Sequence, residues 1–162
     1  MKTSLEQAMS EHLKSVFRVS FAVLNDRQDA EDVTQETFLA YHISKDGFES
    51  EEHIRRWLLT VAVNKSKNLM KSSWKRKHRS MEDPEVLGMT VTFQTGEDRE
   101  LLQAVSELPL KCRTVIHLFY YEDYKIKEIA ETLNVSENTV KSQLNRGRTL
   151  LKAKLKEKWE DE

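Results

Sequence analysis

Six residues, four glycines and two prolines, are the only strong helix breakers among 162. Five of them fall in three short stretches. Gly47 lies in "SKDGFESEE" (44–52), Pro84, Gly88 and Gly96 in "MEDPEVLGMTVTFQTGED" (81–98), and Pro109 in "ELPLK" (107–111). So few turn formers disfavour a turn-rich all-β fold and leave long uninterrupted helices possible. Hydrophobic residues make up 38% of the chain and charged residues 33%, so any core is modest and thin helical domains suit it. The stretch 81–96 sustains no helical period. The expected fold is all-α: two small helical domains, 1–80 and 97–162, joined by a flexible linker over 81–96.

The single cysteine, Cys112, excludes an internal disulfide and is compatible with a reducing compartment. The first residues lack the continuous apolar run and small-residue cleavage site of a signal peptide. No window approaches the ~18 consecutive apolar residues of a membrane span, so no membrane insertion is expected and a cytoplasmic location is.

In the first half, "DAEDVTQETFLAY" (29–41) has a clear helical period. Ala30, Val33, Thr34, Thr37, Phe38 and Tyr41 share one face, and Asp29, Asp32 and Glu36 fall on the opposite one. The simplest reading is an amphipathic surface helix with a solvated acidic side. The same side could dock a basic partner, and charge alone does not decide between the two.

Positive charge collects next. Residues 53–80, "HIRRWLLTVAVNKSKNLMKSSWKRKHRS", hold nine Lys or Arg and no Asp or Glu, in a chain whose formal net charge is -1. On a helix beginning near His53, Trp57, Thr60, Asn64, Lys67, Asn68 and Lys71 line one polar stripe. Ile54, Leu58, Ala62 and Leu69 lie to the other side, and Lys65 at the apolar edge can snorkel outward. Two Asn in a helix interior are unfavourable for propensity. An amide offers donor and acceptor together to a base edge, an exposed Trp offers a stacking plane, and Lys neutralises phosphate. A solvated basic helix or a membrane-surface helix would also carry such charge. The combination on one stripe favours nucleic acid. The tail "WKRKHR" (74–79) reads as a cruder phosphate contact.

The second half contains "YKIKEIAETLNVSENTVKSQLNRGRTLLKAKL" (124–155), which reads as helix, tight turn, helix. Ile126, Ile129, Ala130 and Leu133 form the apolar face of the first. Asn134 tolerates the left-handed conformation that ends a helix, and Ser136 caps the next. Val140, Leu144, Leu151 and Leu155 point inward, with Gly147 on the same side, where a missing side chain permits close packing. Asn138, Thr139, Lys141, Ser142, Asn145 and Arg146 point elsewhere. That set suits a recognition helix in a major groove.

Nothing marks an enzyme. The five histidines are scattered, no metal-ligand spacing surrounds Cys112, and there is no Gly-rich phosphate loop or nucleophile motif. No catalytic residue, metal or cofactor is expected.

"DAEDVTQETF", "WLLTVAVNKSKN" and "LPLKCRTVIHLFYYEDYKIKEIAETLNVSENTVKSQLNRGRTLL", in this order and spacing, resemble bacterial RNA polymerase sigma factors of the extracytoplasmic-function (ECF) group, within the sigma-70 family. The resemblance spans roughly residues 8–80 and 97–155. It implies that 1–80 is the family's second domain and 97–162 its fourth, with a helix-turn-helix. It implies a transcription initiation factor that binds core RNA polymerase, at the β′ clamp and the β flap. By this resemblance Asp29, Asp32, Gln35 and Glu36 contact the core. Arg56, Trp57, Asn64, Lys67, Asn68 and Lys71 hold the separated strand of the minus-ten promoter element, and the loop 48–52 captures a flipped base. The helix Glu137–Arg148, through Asn138, Thr139, Lys141, Ser142, Asn145 and Arg146, reads the minus-thirty-five duplex. An anti-sigma partner, in some cases membrane-anchored, is also implied. The sequence departs from the family pattern at Asn134 and Gly147, often Gly and Ala there, and in the acidity of loop 48–52. The residues themselves leave a second reading open, a stand-alone helix-turn-helix regulator with a sensing first half.

Overall fold

The computed structural model describes residues 2–72 and 96–160, with side chains over 100–156 in the second stretch. The expected linker 81–96 and the tail 74–79 therefore lie outside the described residues, apart from Gly96. Seven helices and no strand occur among those described. The chain divides into two compact units, Met1–Glu82 and Asp83–Glu162.

The first unit is a three-helix bundle of α1 (Leu5–Leu24), α2 (Arg27–Ile43) and α3 (Glu51–Lys71), in which each helix packs on the other two. The breaks between them are chemically specified. Asn25 adopts the left-handed conformation (φ 53°) that ends α1, and its N–H donates to Phe21 O at 2.7 Å. Asp26 then caps α2, its Oδ1 accepting from Asp29 N–H at 2.9 Å. Two residues thus reverse the chain.

Val33, Phe38 and Tyr41 of α2 bury their apolar side with Ala30, and the buried hydroxyls of Thr34 and Thr37 donate to Ala30 O and Val33 O. All six residues that the period assigned to the core are buried. The start of α3 falls at Glu51, two residues earlier than His53. Ser50 caps the helix by accepting from His53 N–H at 3.1 Å, and His53 Nδ1 accepts from the N–H of Glu49, the residue before the cap, at 3.0 Å.

The buried arc of α3 is wider than one stripe. Leu59, Val63 and Ser66 join Ile54, Leu58 and Ala62, because the helix faces both α1 and α2, while Leu69 is half-buried. His12 on α1 is buried and pairs with Glu51 at 3.2 Å, tying α1 to the first turn of α3.

The second unit is built around α5 (Leu110–Tyr120), which begins after Pro109 and whose residues Cys112 to Leu118 are all buried. It packs on α4 (Gly96–Ser106), α6 (Ile126–Leu133) and α7 (Glu137–Glu160). Buried Arg113 donates to Leu108 O at 3.1 Å, and buried His117 and Glu122 face each other at 3.4 Å. Asn134 ends α6 in the left-handed region (φ 57°), and Ser136 Oγ accepts from Thr139 N–H at 3.1 Å at the start of α7. The turn expected from the sequence is present in both halves. Gly147 packs against α5 so closely that a Cβ there would stand 2.9 Å from Ile116 Cγ1. Cys112 lies beside the same contact and is buried as a free thiol.

Candidate nucleic-acid interfaces

On α2, Asp32, Gln35 and Glu36 are exposed, as their place opposite the core demands. Asp29 is not. It is 1% exposed, which corrects its assignment to the solvated acidic face. It occupies the first turn of α2, where its backbone N–H is fixed by the Asp26 cap. Asp29, Asp32 and Glu36 line one side of a groove whose other side is Lys65, Asn68 and Leu69 of α3. Lys65 Nζ reaches across to Glu36 at 3.9 Å.

On α3, Asn64, Asn68 and Lys71 are exposed and Lys67 is half-exposed, along one face. The opposite residues Ile54, Leu58 and Ala62 have no exposed area. Arg56 is exposed and pairs with Glu52 one turn earlier at 3.4 Å. Trp57 departs from the expected open stacking plane. It is only half-exposed, because its ring stands edge-on to Phe48 (5.8 Å between centroids) and to Tyr41 (6.1 Å).

Phe48 is itself buried among Tyr41, His53 and Trp57, and Glu51 and Glu52 already belong to α3. The aromatic cluster, absent from the sequence reading, joins residues up to sixteen positions apart and leaves no periodic signal. Residues near the N-terminus complete it: Tyr41 Oη donates to Thr3 O at 2.8 Å, and Lys2 Nζ lies 5.0 Å from the Tyr41 ring. Glu11, His12 and Glu51 also converge, with ligand atoms within 4.8 Å of one another, a grouping that residue spacing did not announce.

On α7, Val140 and Leu144 are buried against the unit, and Asn138, Lys141, Ser142, Asn145 and Arg146 are exposed. Thr139 is half-buried, and its hydroxyl lies 2.8 Å from Ser136 Oγ, so it belongs partly to the cap. The sequence reading also missed Arg148 as a member of an organised cluster. Its Nε donates to Tyr120 Oη at 2.7 Å, and its guanidinium lies 5.4 Å from the Phe119 ring centroid and 5.6 Å from that of Tyr120.

Two capped helical units, one with a polar stripe opposite a buried face and one with a helix-turn-helix, match two family models. Residues 8–76 match sigma-70 region 2 and residues 98–151 match sigma-70 region 4. The RNA polymerase sigma factor SigV of Bacillus subtilis is 28% identical over 155 residues, covering 95% of this chain and 92% of the relative. The ECF sigma factor SigL of Mycobacterium tuberculosis is 31% identical over 160 residues, covering 91% and 86%. Among solved structures, the sigma factor RpoE of Bartonella quintana, crystallised with the anti-sigma factor NepR, aligns with a TM-score of 0.76 at 19% identity, covering 93% of this chain and 96% of that one. The chain belongs to the sigma-70 family of transcription initiation factors, which direct RNA polymerase to promoters. Within that family it is an ECF sigma factor. The region 2 match removes the stand-alone regulator reading, which required a sensing domain in the first half.

Among the described residues no helix is long and apolar enough to cross a membrane.

Proposed function

We propose that this chain works without covalent chemistry or a cofactor of its own, in the cytoplasm, by dividing promoter recognition between its two units. The domain limits 1–80 and 97–162 serve as the functional boundaries. Asp32, Gln35 and Glu36 dock on the β′ clamp of core polymerase, with Asp29 beneath them in the groove wall, and the second unit meets the β flap. Asn64, Asn68, Lys67 and Lys71 hold the minus-ten strand once it separates, with Arg56 and the half-exposed edge of Trp57 at its border. Asn138, Lys141, Ser142, Asn145 and Arg146 read the minus-thirty-five duplex, with Thr139 at the cap. Unpairing costs free energy, and capture of the exposed bases offsets it.

The observation that carries this reading is the α3 face: two exposed Asn and a Lys opposite residues with no exposed area. A helix that served packing alone has no use for two interior Asn. An anti-sigma partner belongs to the proposal, supported by the neighbour crystallised with NepR. The test is run-off transcription with core polymerase, followed by mapping of start sites. Promoter-dependent transcripts that need this chain are expected. Tight specific duplex binding without polymerase, together with no transcript in its presence, overturns the proposal.

A further inference from the structure

Asn138, Lys141, Asn145 and Arg148 recur at spacings of three and four, so they follow one another along a single face of α7. Arg148 stands ten residues beyond Asn138, about 15 Å along the helix axis. A major groove is about 12 Å wide, so a helix that enters by its N-terminal turns has reached the groove edge by that residue. The acceptor available there is phosphate rather than a base.

Arg148 is held in place for such a contact. Tyr120 Oη accepts from Arg148 Nε–H at 2.7 Å, and Asn145 Oδ1 lies 3.5 Å from Nη1. The Phe119 and Tyr120 rings lie under the guanidinium. These contacts restrict a long side chain that would otherwise lose rotamer freedom on binding. They use two of its five N–H groups, and the other three lie on the Nη side of the fork, the arrangement that suits two phosphate oxygens. Tyr120 is 51% exposed, and its phenol, having accepted from Arg148, keeps its own O–H to donate.

We propose that Tyr120 and Arg148 form a phosphodiester clamp at the edge of the duplex read by α7, with Arg148 as the charged contact and Tyr120 as both its positioning residue and a second donor. The clamp rests on the reading of α7 as a duplex-binding helix. It is independent of base sequence.

The test uses the full chain with a fluorescein-labelled, mixed-sequence 30-base-pair duplex, titrated between 50 and 200 mM NaCl. Circular dichroism checks that each variant is folded. Arg148→Ala is expected to bind roughly three- to tenfold more weakly, and its slope of log affinity against log salt becomes shallower by about 0.9, one phosphate contact. Arg148→Lys keeps the charge, so it retains the slope while losing affinity. Tyr120→Phe weakens binding about two- to fivefold, the share of a hydrogen bond, and leaves the slope unchanged because the phenol carries no charge. A wild-type slope in Arg148→Ala overturns the clamp, as does wild-type affinity in Tyr120→Phe. Lys141→Ala separates the two levels. If it makes the slope shallower while Arg148→Ala does not, only the clamp is wrong. If neither changes the slope, the duplex reading of α7 fails with it.

Discussion

The exposed stripe of α3, Asn64, Asn68 and Lys71, is flanked by side chains engaged inside their own unit, whereas the exposed set of α7 from Asn138 to Arg146 starts at a capped turn. Arg56 pairs with Glu52, Lys65 reaches Glu36, and Trp57 is packed edge-on against Phe48 and Tyr41. On α7 Arg148 is fixed by a ring system and Lys154 pairs with Glu107 at 3.1 Å, both beyond that set. A cation balanced by a neighbouring carboxylate attracts free duplex weakly. Such an exposed pair is worth only about 0–1 kcal/mol, so a phosphate delivered at close range displaces it. On the proposed reading, the first unit acts once polymerase brings a separating strand to it, and the second meets duplex directly.

The largest expected effect tests the acidic side of this contrast. Asp32→Arg places a cation on the proposed dock, and like charges across an interface cost several kcal/mol, so core association measured by fluorescence anisotropy should fall at least tenfold. Unchanged affinity removes α2 from the dock.

Next come Asn64→Ala and Asn68→Ala, each expected to cost about 1–3 kcal/mol of strand capture. Promoter opening, followed by permanganate footprinting of unpaired thymines, should drop while core binding stays constant. Equal losses in both assays would erase the division of labour between α2 and α3.

Lys141→Ala should weaken duplex binding at every sequence alike and reduce the salt slope by about one. If it instead impairs strand opening on a preformed duplex complex, the two units do not separate as drawn.

The smallest effect concerns the scaffold of the second face. Gly147→Ala gains about 1 kcal/mol of helix propensity but forces Ile116 Cγ1 from 2.9 Å, and overpacking costs about 1–3 kcal/mol. Because Ile116 is buried and the approach is to its Cγ1 rather than its far end, a net loss near 1 kcal/mol is expected in urea denaturation. A stabilised variant would mean that α5 yields easily.

Much of the fold was legible because it is local. The period of 29–41 named every buried residue of α2 from Ala30 to Tyr41, since a helix against a bundle shows one face to the core. Asn134 and Ser136 announced the turn because backbone conformation and capping depend on neighbours in sequence. Gly147 marked a close approach, and its contact with Ile116 is of that kind. The α3 stripe was read correctly at Asn64, Asn68 and Lys71 but too narrowly in its core, because the helix serves two partners and a one-sided pattern cannot express that.

What the sequence by itself determined is therefore the helices, their caps and the polar faces they present, all set by interactions within about four residues. Tertiary structure alone decided which of those groups are available. It buried Asp29 in the first turn of α2, on the side that the helical period assigns to solvent. It turned Trp57 into the wall of a cluster with Phe48 and Tyr41, and it joined Arg148 to Tyr120 across twenty-eight residues. The reason is physical: burial and ring packing depend on which faces meet in space, and no local period encodes the partner.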